Sequence, residues 1–290
     1  MKSKVLVLSI VLVILAAIAG AVGWLFTTPC PPGRFAVIDG NESAADIPEV
    51  VREHAANLAS QFVDANSVYW EPFVDSLLEV YAQARDKDCL LVFNSGGQGQ
   101  EEIGPEWGSI LEGVREELRN QGYDDLLVIY ERTADGFSNF MKELRETAQS
   151  YHEKAQPLAA ATDFFTEHIE DIEVIMLGES AGAMLANEAM ALLPANDRVY
   201  SIQTGTPFYY GGIVSDRSLL INDNGVFPDS LHSLDAWTIF KANLGRIPTY
   251  RPEEGHFLFY MRTPGHIYTW DHPGVRSEVS SFLEKQLPGN

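Results

Sequence analysis

The feature that most constrains this chain is a series of short, largely apolar runs separated by stretches with helical spacing. The runs occupy residues 89–93, 125–130, 173–177, 199–203, 218–221 and 257–261. Such runs are typical of strands that are buried on both faces of a sheet. Helical patterns cover residues 107–120, 138–170 with a break near Pro157, 181–193, 230–244 and 274–287. Because strand and helix alternate, the sequence predicts an α/β fold in which helices cover both faces of a mainly parallel sheet.

The N-terminal segment predicts a membrane anchor. Lys2 and Lys4 precede an uncharged run from residue 5 to residue 26, which as a helix is long enough to cross a bilayer. The two lysines favour the cytoplasmic side, so we expect a single-pass cell-membrane protein whose C-terminal domain is extracytoplasmic. A cleaved signal peptide is the alternative, because residues 17–19 and 19–21 resemble cleavage sites.

The anchor sets the expected domain boundaries. We expect the transmembrane helix in residues 1–27, a proline-rich spacer in residues 28–33 and one globular domain in residues 34–290. Within that domain, residues 34–88 carry two helical patterns, which predict a helical N-terminal layer ahead of the first apolar run.

Charge and motif content limit the partners and cofactors. With 20 basic and 41 acidic residues the formal net charge is −21, which repels a phosphate backbone, so we expect no nucleic-acid partner. The sequence has no metal-ligand spacing and no phosphate-binding loop, so we expect neither a metal nor a nucleotide cofactor. Cys30 and Cys89 are expected to be free thiols.

Residues 178–182, Gly-Glu-Ser-Ala-Gly, stand where the third apolar run gives way to an alanine-rich helical pattern. A serine in a sharp strand-to-helix turn needs small neighbours, and Gly178, Ala181 and Gly182 meet that requirement. The Ser180 hydroxyl would then project above the sheet, with the Ala181 N–H facing a developing oxyanion. The motif predicts a nucleophilic serine.

A glycine-rich turn, residues 94–99, follows the first apolar run. In a parallel sheet this turn would lie at the same edge as the serine, because the carboxyl ends of the strands meet there. Glycines let the backbone approach a ligand and direct free N–H groups at it. Gly97 or Gln98 is therefore the predicted second oxyanion donor.

His266 is the histidine best placed to act as a general base. It follows the sixth apolar run and precedes the last helical pattern, so it could reach the serine from the edge of the sheet. His272 is the fallback base. His54, His152 and His168 lie in helical patterns and are interpreted as surface or helix residues.

Together these segments resemble the α/β-hydrolase superfamily, in its serine esterase and lipase branch. The likeness extends from residue 89 to the C-terminus. It rests on the glycine-rich turn, the Gly-x-Ser-x-Gly motif and Gly265-His266 before a final helix, in that order. The resemblance implies that Ser180 is the nucleophile, His266 the base, and a carboxylate between them in sequence the acid.

The acid is the least regular part of this likeness. Residues 222–229 resemble the family's acid segment, but the residue directly before Gly225 is Asn224. Asp223 is therefore the first candidate for the acid, and Asp229 is the second. More remote alternatives are Asp216 and Asp235.

The resemblance implies a membrane-anchored serine hydrolase that cleaves a carboxylic ester of a lipid or another apolar small molecule, without a cofactor. Asn224 at the expected acid position favours a different class, a non-catalytic membrane-tethered binding module that retains the fold. The aromatic residues 208–210 are expected either to line the substrate pocket or to pack against the core.

Overall fold

The computed structural model describes residues 30–40, 46–97, 99, 103–133, 137–244 and 263–287, together with Gly20 and Gly23. Three predictions lie outside these residues: most of the N-terminal anchor, Gln98, and the strand at residues 257–261. Within the described ranges, no helix combines the length and the apolar character needed to cross a bilayer.

A mainly parallel sheet forms the centre of the domain. Its strands in the described residues are β1 (Arg34–Val37), β2 (Cys89–Asn94), β3 (Asp125–Glu131), β4 (Glu173–Glu179), β5 (Val199–Thr204) and β6 (Ser218–Ile221). They lie in the order β1-β3-β2-β4-β5-β6. β1 is antiparallel to β3, and every other neighbouring pair is parallel. The predicted sheet type is confirmed.

Helices cover both faces of this sheet. In the described residues they are α1 (Glu49–Phe62), α2 (Trp70–Ala84), α3 (Pro105–Asn120), α4 (Phe137–Ala148), α5 (His152–His168), α6 (Ala181–Leu192), α7 (Ala236–Asn243) and α8 (Pro273–Gln286). Leu90 and Val92 face a core shared with α1, α2, α5 and α6. Leu91 and Phe93 face a second core shared with α3 and α8. Alternation along β2 thus buries both sides of the strand, as its apolar run predicts.

The long helical pattern over residues 138–170 is divided at a different point from the one predicted. α4 and α5 are separated at Ser150 and Tyr151, whose φ angles are 57° and 58°. α5 continues through Pro157. Two consecutive non-glycine residues with left-handed backbone end a helix, whereas a proline in the early turns mainly forfeits one hydrogen bond. The prediction of a break near Pro157 is wrong.

The register of the central strands gathers their following turns at one edge. Asn94 lies opposite Gly178, and Thr204 lies between Glu179 on one side and Ile221 on the other. The turns that follow β2, β4, β5 and β6 are therefore neighbours, at the edge where open parallel sheets bind ligands.

Candidate active site

Ser180 occupies a strained turn between β4 and α6. Its φ of 51° and ψ of −109° lie outside the ordinary regions for a residue with a side chain. The Ser180 N–H donates to the Thr204 carbonyl over 2.9 Å, and the Ser180 carbonyl accepts from Met184 N over 3.2 Å. These bonds fix the serine at the carboxyl end of β4, with α6 beginning at Ala181. The backbone has the geometry of a nucleophile elbow.

Close packing requires the two glycines of the motif. A Cβ added at Gly178 would lie 2.6 Å from Ala183 Cα, and one added at Gly182 would overlap the carbonyl oxygen of Asn94. The first turn of α6 therefore lies directly against β4 and the end of β2. Small residues flank the serine for the steric reason that the sequence suggests.

His266 lies above the end of β5, beside the strand that leads to Ser180. A Cβ added at Gly205 would be 2.9 Å from His266 Cε1 and 3.1 Å from its Nδ1, so the imidazole rests on this glycine. Gly205 follows Thr204, whose carbonyl accepts the Ser180 N–H. The His266 side chain is 18% exposed, which leaves part of the ring open to a substrate.

Asp229 is the carboxylate that contacts His266. Its Oδ2 lies 2.8 Å from His266 Nδ1 and accepts a hydrogen bond of 2.7 Å from Tyr268 Oη. Its Oδ1 accepts from the backbone N–H groups of Leu231 and His232, over 2.8 and 2.9 Å. The Asp229 side chain is fully buried. Both oxygens of the carboxylate are thus held in place by donors.

The surroundings of Asp229 keep it ionised. Burial alone raises the pKa of this carboxyl, but hydrogen bonds from His266, His232 and Tyr268 and the charge of His266 outweigh burial and hold the pKa below its usual value. Burial and the neighbouring Asp229 raise the pKa of Tyr268, so that its hydroxyl remains a donor. The pair at the site is therefore a histidine facing a carboxyl group whose charged form is favoured.

Asp223, the first candidate for the acid, does not contact His266. Its Oδ1 accepts the N–H of Gly225 over 2.8 Å, and its backbone pairs with Pro228 in an antiparallel bridge. The structure thus does not bring the carboxylate of Asp223 to the histidine. The chain reverses between Asp223 and Pro228. Asp229, which follows this reversal, is the residue that contacts His266.

Asn224 holds this reversal together. Its Oδ1 accepts from the N–H groups of Val226 and Phe227, over 2.9 and 3.0 Å. Its Nδ2 donates to the carbonyl of Ile267 over 2.9 Å. The side chain therefore ties the turn after β6 to the residue that follows His266. An asparagine at the expected acid position has a structural role here.

Two further alternatives have structural contacts of their own. Asp235 Oδ1 accepts the N–H of Thr238 over 3.0 Å and caps the N-terminus of α7. His272, the fallback base, immediately precedes α8, and its Nδ1 accepts the N–H of Thr269 over 3.1 Å.

The glycine-rich turn after β2 lies beside the elbow. Glu179 accepts a hydrogen bond from the Gly96 N–H, and burial raises the pKa of this carboxyl. The Gly99 N–H donates to the Gly96 carbonyl over 3.1 Å, and Gly97 has a φ of 55°. The structure thus places Gly96, the neighbour of Gly97, next to the residue that precedes Ser180. The role of Gln98 stays a prediction, since Gln98 lies outside the described residues.

Arg132, which no sequence motif marks, binds the carbonyl side of this turn. Its guanidinium donates to the carbonyls of Ser95, Gly96 and Gly97, and Nη2 lies 2.5 Å from the Gly97 oxygen. In a trans peptide the following N–H points away from the carbonyl. Because the carbonyls of Ser95 and Gly96 face Arg132, the N–H groups of Gly96 and Gly97 point to the opposite side.

A buried network fixes Arg132 in turn. Arg132 Nε donates to Glu143 Oε1 over 2.8 Å, and Lys154 Nζ donates to Glu143 Oε2 over 2.6 Å. Tyr151 Oη donates to Glu143 Oε1 over 2.6 Å. Burial raises the pKa of Glu143, but the two cations overcome it and hold the pKa at about 2. No spacing in the sequence marks these residues, which only the folded chain brings together.

The aromatic residues 208–210 lie in two different environments. Tyr210 packs against the core, and its hydroxyl accepts from Asn187 Nδ2 over 2.6 Å and donates to Glu188 Oε1 over 2.9 Å. Phe208 and Tyr209 are about half exposed and contact each other edge to face, with ring centroids 5.3 Å apart. Of these three rings, Phe208 and Tyr209 keep exposed surface, and whether they line the substrate pocket stays a prediction.

The site as a whole can support acyl transfer. It combines a strained serine, a histidine–carboxylate pair and backbone N–H groups at one edge of the sheet. Among the described residues no hydrogen bond joins Ser180 Oγ to His266. Such contacts are often long before substrate binds and shorten in the complex. The parallel sheet, the elbow and the chain order serine, aspartate, histidine are the features that a resemblance to α/β-hydrolases predicts.

Comparison with solved structures finds similarities at low sequence identity, two of which follow. No protein-family model and no curated protein matches this sequence. A Trichoderma reesei cutinase, solved in complex with a phosphonate inhibitor, is similar over 84% of this chain and 93% of its own, with 11% identity and a TM-score of 0.43. An α/β serine hydrolase without a lid from Xanthomonas campestris is similar over 70% of this chain and 84% of its own, with 14% identity and a TM-score of 0.43.

Proposed function

We propose that this protein is a serine hydrolase that cleaves a carboxylic ester through an acyl-enzyme on Ser180. The observation that carries the proposal is the 2.8 Å contact between His266 Nδ1 and the buried carboxylate of Asp229. It lies at the sheet edge where Ser180 has a strained backbone, which costs about 1–3 kcal/mol. A buried acid that orients a histidine beside such a serine is the arrangement that activates the hydroxyl.

In the first half-reaction, Ser180 Oγ attacks the acyl carbon while His266 Nε2 accepts the hydroxyl proton. The carbonyl oxygen becomes an oxyanion, which accepts hydrogen bonds from the N–H groups of Ala181 and of Gly97 or Gln98. When the tetrahedral intermediate collapses, the ester C–O bond breaks and His266 gives its proton to the leaving alcohol. Ser180 then carries the acyl group.

In the second half-reaction, water attacks the acyl carbon and His266 accepts the water proton. Collapse of the second intermediate releases the carboxylic acid, and His266 returns the proton to Ser180 Oγ. Asp229 remains ionised throughout, binds Nδ1–H and stabilises the imidazolium. Its lowered pKa suits that role.

The proposed substrate is a lipid ester or another apolar small-molecule ester. Two features support this choice: the exposed rings of Phe208 and Tyr209 on the loop after β5, and the uncharged N-terminal run over residues 5–26. On the strength of that run and of Lys2 and Lys4, we also propose that the chain is anchored in the cell membrane with its domain extracytoplasmic. The net charge of −21 argues against a nucleic-acid partner.

Membrane fractionation tests the anchor directly. The full chain should remain in the membrane pellet after alkaline carbonate extraction, and a chain without residues 1–27 should not. Protease added outside intact cells should digest the domain. Release of the full chain by carbonate, or protection of the domain from the protease, would show that the anchor is wrongly assigned.

The alternative class, a non-catalytic binding module, depended on Asn224 at the expected acid position. In the structure Asn224 holds a turn, and Asp229 supplies the carboxylate beside His266. That arrangement supports the enzyme over the binding module.

Labelling of the detergent-solubilised full chain with a fluorophosphonate probe tests the hydrolase. Ser180→Ala and His266→Ala should abolish labelling, whereas Ser60→Ala, on an exposed face of α1, and His272→Ala should label like wild type. A panel of p-nitrophenyl esters of graded acyl length then ranks the substrates. If folded wild-type protein does not label, or if Ser180→Ala labels equally well, the proposed mechanism is wrong.

A further inference from the structure

Two histidines from different helices meet at the end of the sheet opposite the serine. His54 lies in α1 and His168 is the last residue of α5, and His54 Nδ1 is 2.6 Å from His168 Nε2. Their rings are nearly perpendicular, with centroids 4.9 Å apart. Phe164 packs against both rings, at centroid distances of 5.4 and 4.8 Å. The aromatic contacts therefore fix the orientation of both imidazoles.

Glu167 adds a carboxylate to this pair. Its Oε2 lies 3.8 Å from His54 Nδ1. One ligand atom from each of the three residues lies within 4.8 Å of the other two. His54, Glu167 and His168 thus present two imidazole nitrogens and one carboxylate oxygen to a common point, which we call the His54–His168 cluster.

These donor atoms and distances suit a small transition cation. Imidazole and carboxylate bind Zn²⁺ at about 2.0–2.2 Å, so two ligands of a tetrahedral ion are roughly 3.3 Å apart. The distances of 2.6 and 3.8 Å lie on either side of that value, and small side-chain rotations would equalise them. Three protein ligands leave a fourth position for water, as in many zinc sites.

We propose that His54, Glu167 and His168 form a binding site for one divalent transition cation of the Zn²⁺ type, which joins α1 to α5. The site is structural and separate from acyl transfer, because α5 ends just before β4 begins, whereas Ser180 follows the far end of β4. A cation bound here would tie the N-terminal helical layer to the helix that leads into the central strand.

A calorimetric titration of the metal-free, tag-free full chain with Zn²⁺ tests this site. Wild type should bind one equivalent of Zn²⁺ at the tight site. His54→Ala and His168→Ala should each weaken binding by at least about tenfold, which is the scale seen when a metal site loses a supporting group. Glu167→Gln, which keeps the shape of the side chain, should also weaken binding. His152→Ala removes an exposed histidine at the other end of α5 and should leave the affinity unchanged.

Thermal unfolding gives a second readout and a check of folding. With EDTA the wild type and the four variants should all unfold cooperatively. Added Zn²⁺ should raise the Tm of wild type and of His152→Ala but not that of His168→Ala, because a ligand that binds only the folded state stabilises it. The proposal is overturned if wild type and the double variant His54→Ala/His168→Ala bind Zn²⁺ equally, or if His152→Ala loses as much affinity as His54→Ala.

Discussion

Tyr268 Oη donates a 2.7 Å hydrogen bond to the same Asp229 oxygen that contacts His266. A hydroxyl and an imidazole therefore share one carboxylate oxygen, and both come from the loop that docks against the turn after β6. The geometry makes Tyr268 a positioning residue for the acid, in addition to a buried part of the core.

Removal of the Tyr268 hydroxyl should mainly lower the stability of the fold. Tyr268→Phe keeps the ring and removes one donor from a buried carboxylate, so we expect the free energy of unfolding to fall by about 1–3 kcal/mol. The kcat for ester hydrolysis should fall less than tenfold, since the contact with His266 remains. Urea unfolding and steady-state kinetics measure both quantities. Tyr209→Phe, on an exposed ring, is the control, and equal stability of the two variants would contradict the role of Tyr268.

The two candidate acids can be separated by matched amide substitutions. Asp229→Asn should lower kcat by about 10⁴, because an amide at this position no longer stabilises the imidazolium or the correct tautomer. Asp223→Asn should retain near wild-type kcat, since its carboxylate accepts the Gly225 N–H and makes no hydrogen bond to His266 in the described part of the chain. The rates of both variants with one p-nitrophenyl ester decide the assignment. A large loss in Asp223→Asn alone would reverse it.

Arg132 is expected to act on kcat through the glycine-rich turn. Arg132→Lys keeps the charge but cannot bind three carbonyls with a planar fork, so the Gly97 N–H should lose its fixed direction. We expect kcat to fall by about 10–100-fold, with little change in KM, because oxyanion donors act mainly in the transition state. Arg119→Lys, on the exposed side of α3, is the control. A change confined to KM would rule out this role.

Glu143, the buried carboxylate that binds Arg132, should make the free energy of unfolding depend on pH. The pKa of Glu143 is about 2 in the folded chain and about 4.3 when unfolded, so in acid the unfolded state binds more protons. Its contribution is therefore complete above about pH 4.3 and is lost as the pH falls toward 2. Glu143→Gln should lower the free energy of unfolding by about 3–5 kcal/mol at pH 7, because two cations lose their partner. It should also flatten the slope between pH 5 and 3.

The control for this pH dependence is Glu284→Gln, on an exposed position of α8. Urea unfolding at several pH values gives the slope for wild type and both variants. An unchanged acid slope in Glu143→Gln would show that other carboxyl groups dominate acid unfolding.

The steric role of the elbow glycines is testable with one matched pair. Gly182→Ala places a methyl group against the Asn94 carbonyl and should destabilise the fold by about 1–3 kcal/mol, with loss of fluorophosphonate labelling. Gly108→Ala lies in α3 with open space around the new Cβ, and it should be neutral or stabilise by up to about 1 kcal/mol. Thermal unfolding and labelling of both variants check the pair. Equal Tm values for Gly182→Ala and Gly108→Ala would mean that the elbow shifts to accommodate the methyl group and that close packing does not require Gly182.

The sequence predicts the sheet and the elbow because both leave local signals. Residues of a strand that is buried on two faces are nearly all apolar, and Gly178, Ser180 and Gly182 lie within one short turn. The choice between Asp223 and Asp229 has no such signal. It depends on the hydrogen bonds of Asn224, which reverse the chain and connect it to Ile267, far along the sequence.

Tertiary contacts explain the residues that the sequence does not reveal. His54 and His168 are separated by 114 positions and meet only because α1 packs against α5. Arg132 looks like an ordinary residue after a strand, and its contact with the glycine-rich turn depends on β3 lying beside β2. Such partners follow from strand order, which spacing along one chain does not specify.

The loop that carries His266 and Tyr268 docks onto the turn after β6. This docking also sets the order in which the site is completed during synthesis. Translation proceeds from the N-terminus, so Ser180 and Asp229 leave the ribosome before His266, and a domain generally folds as a unit. A nascent chain that has exposed Ser180 and Asp229 still lacks His266, the proposed base. On the proposed mechanism, hydrolytic capacity is therefore withheld until His266 has been made and its loop has closed onto the sheet.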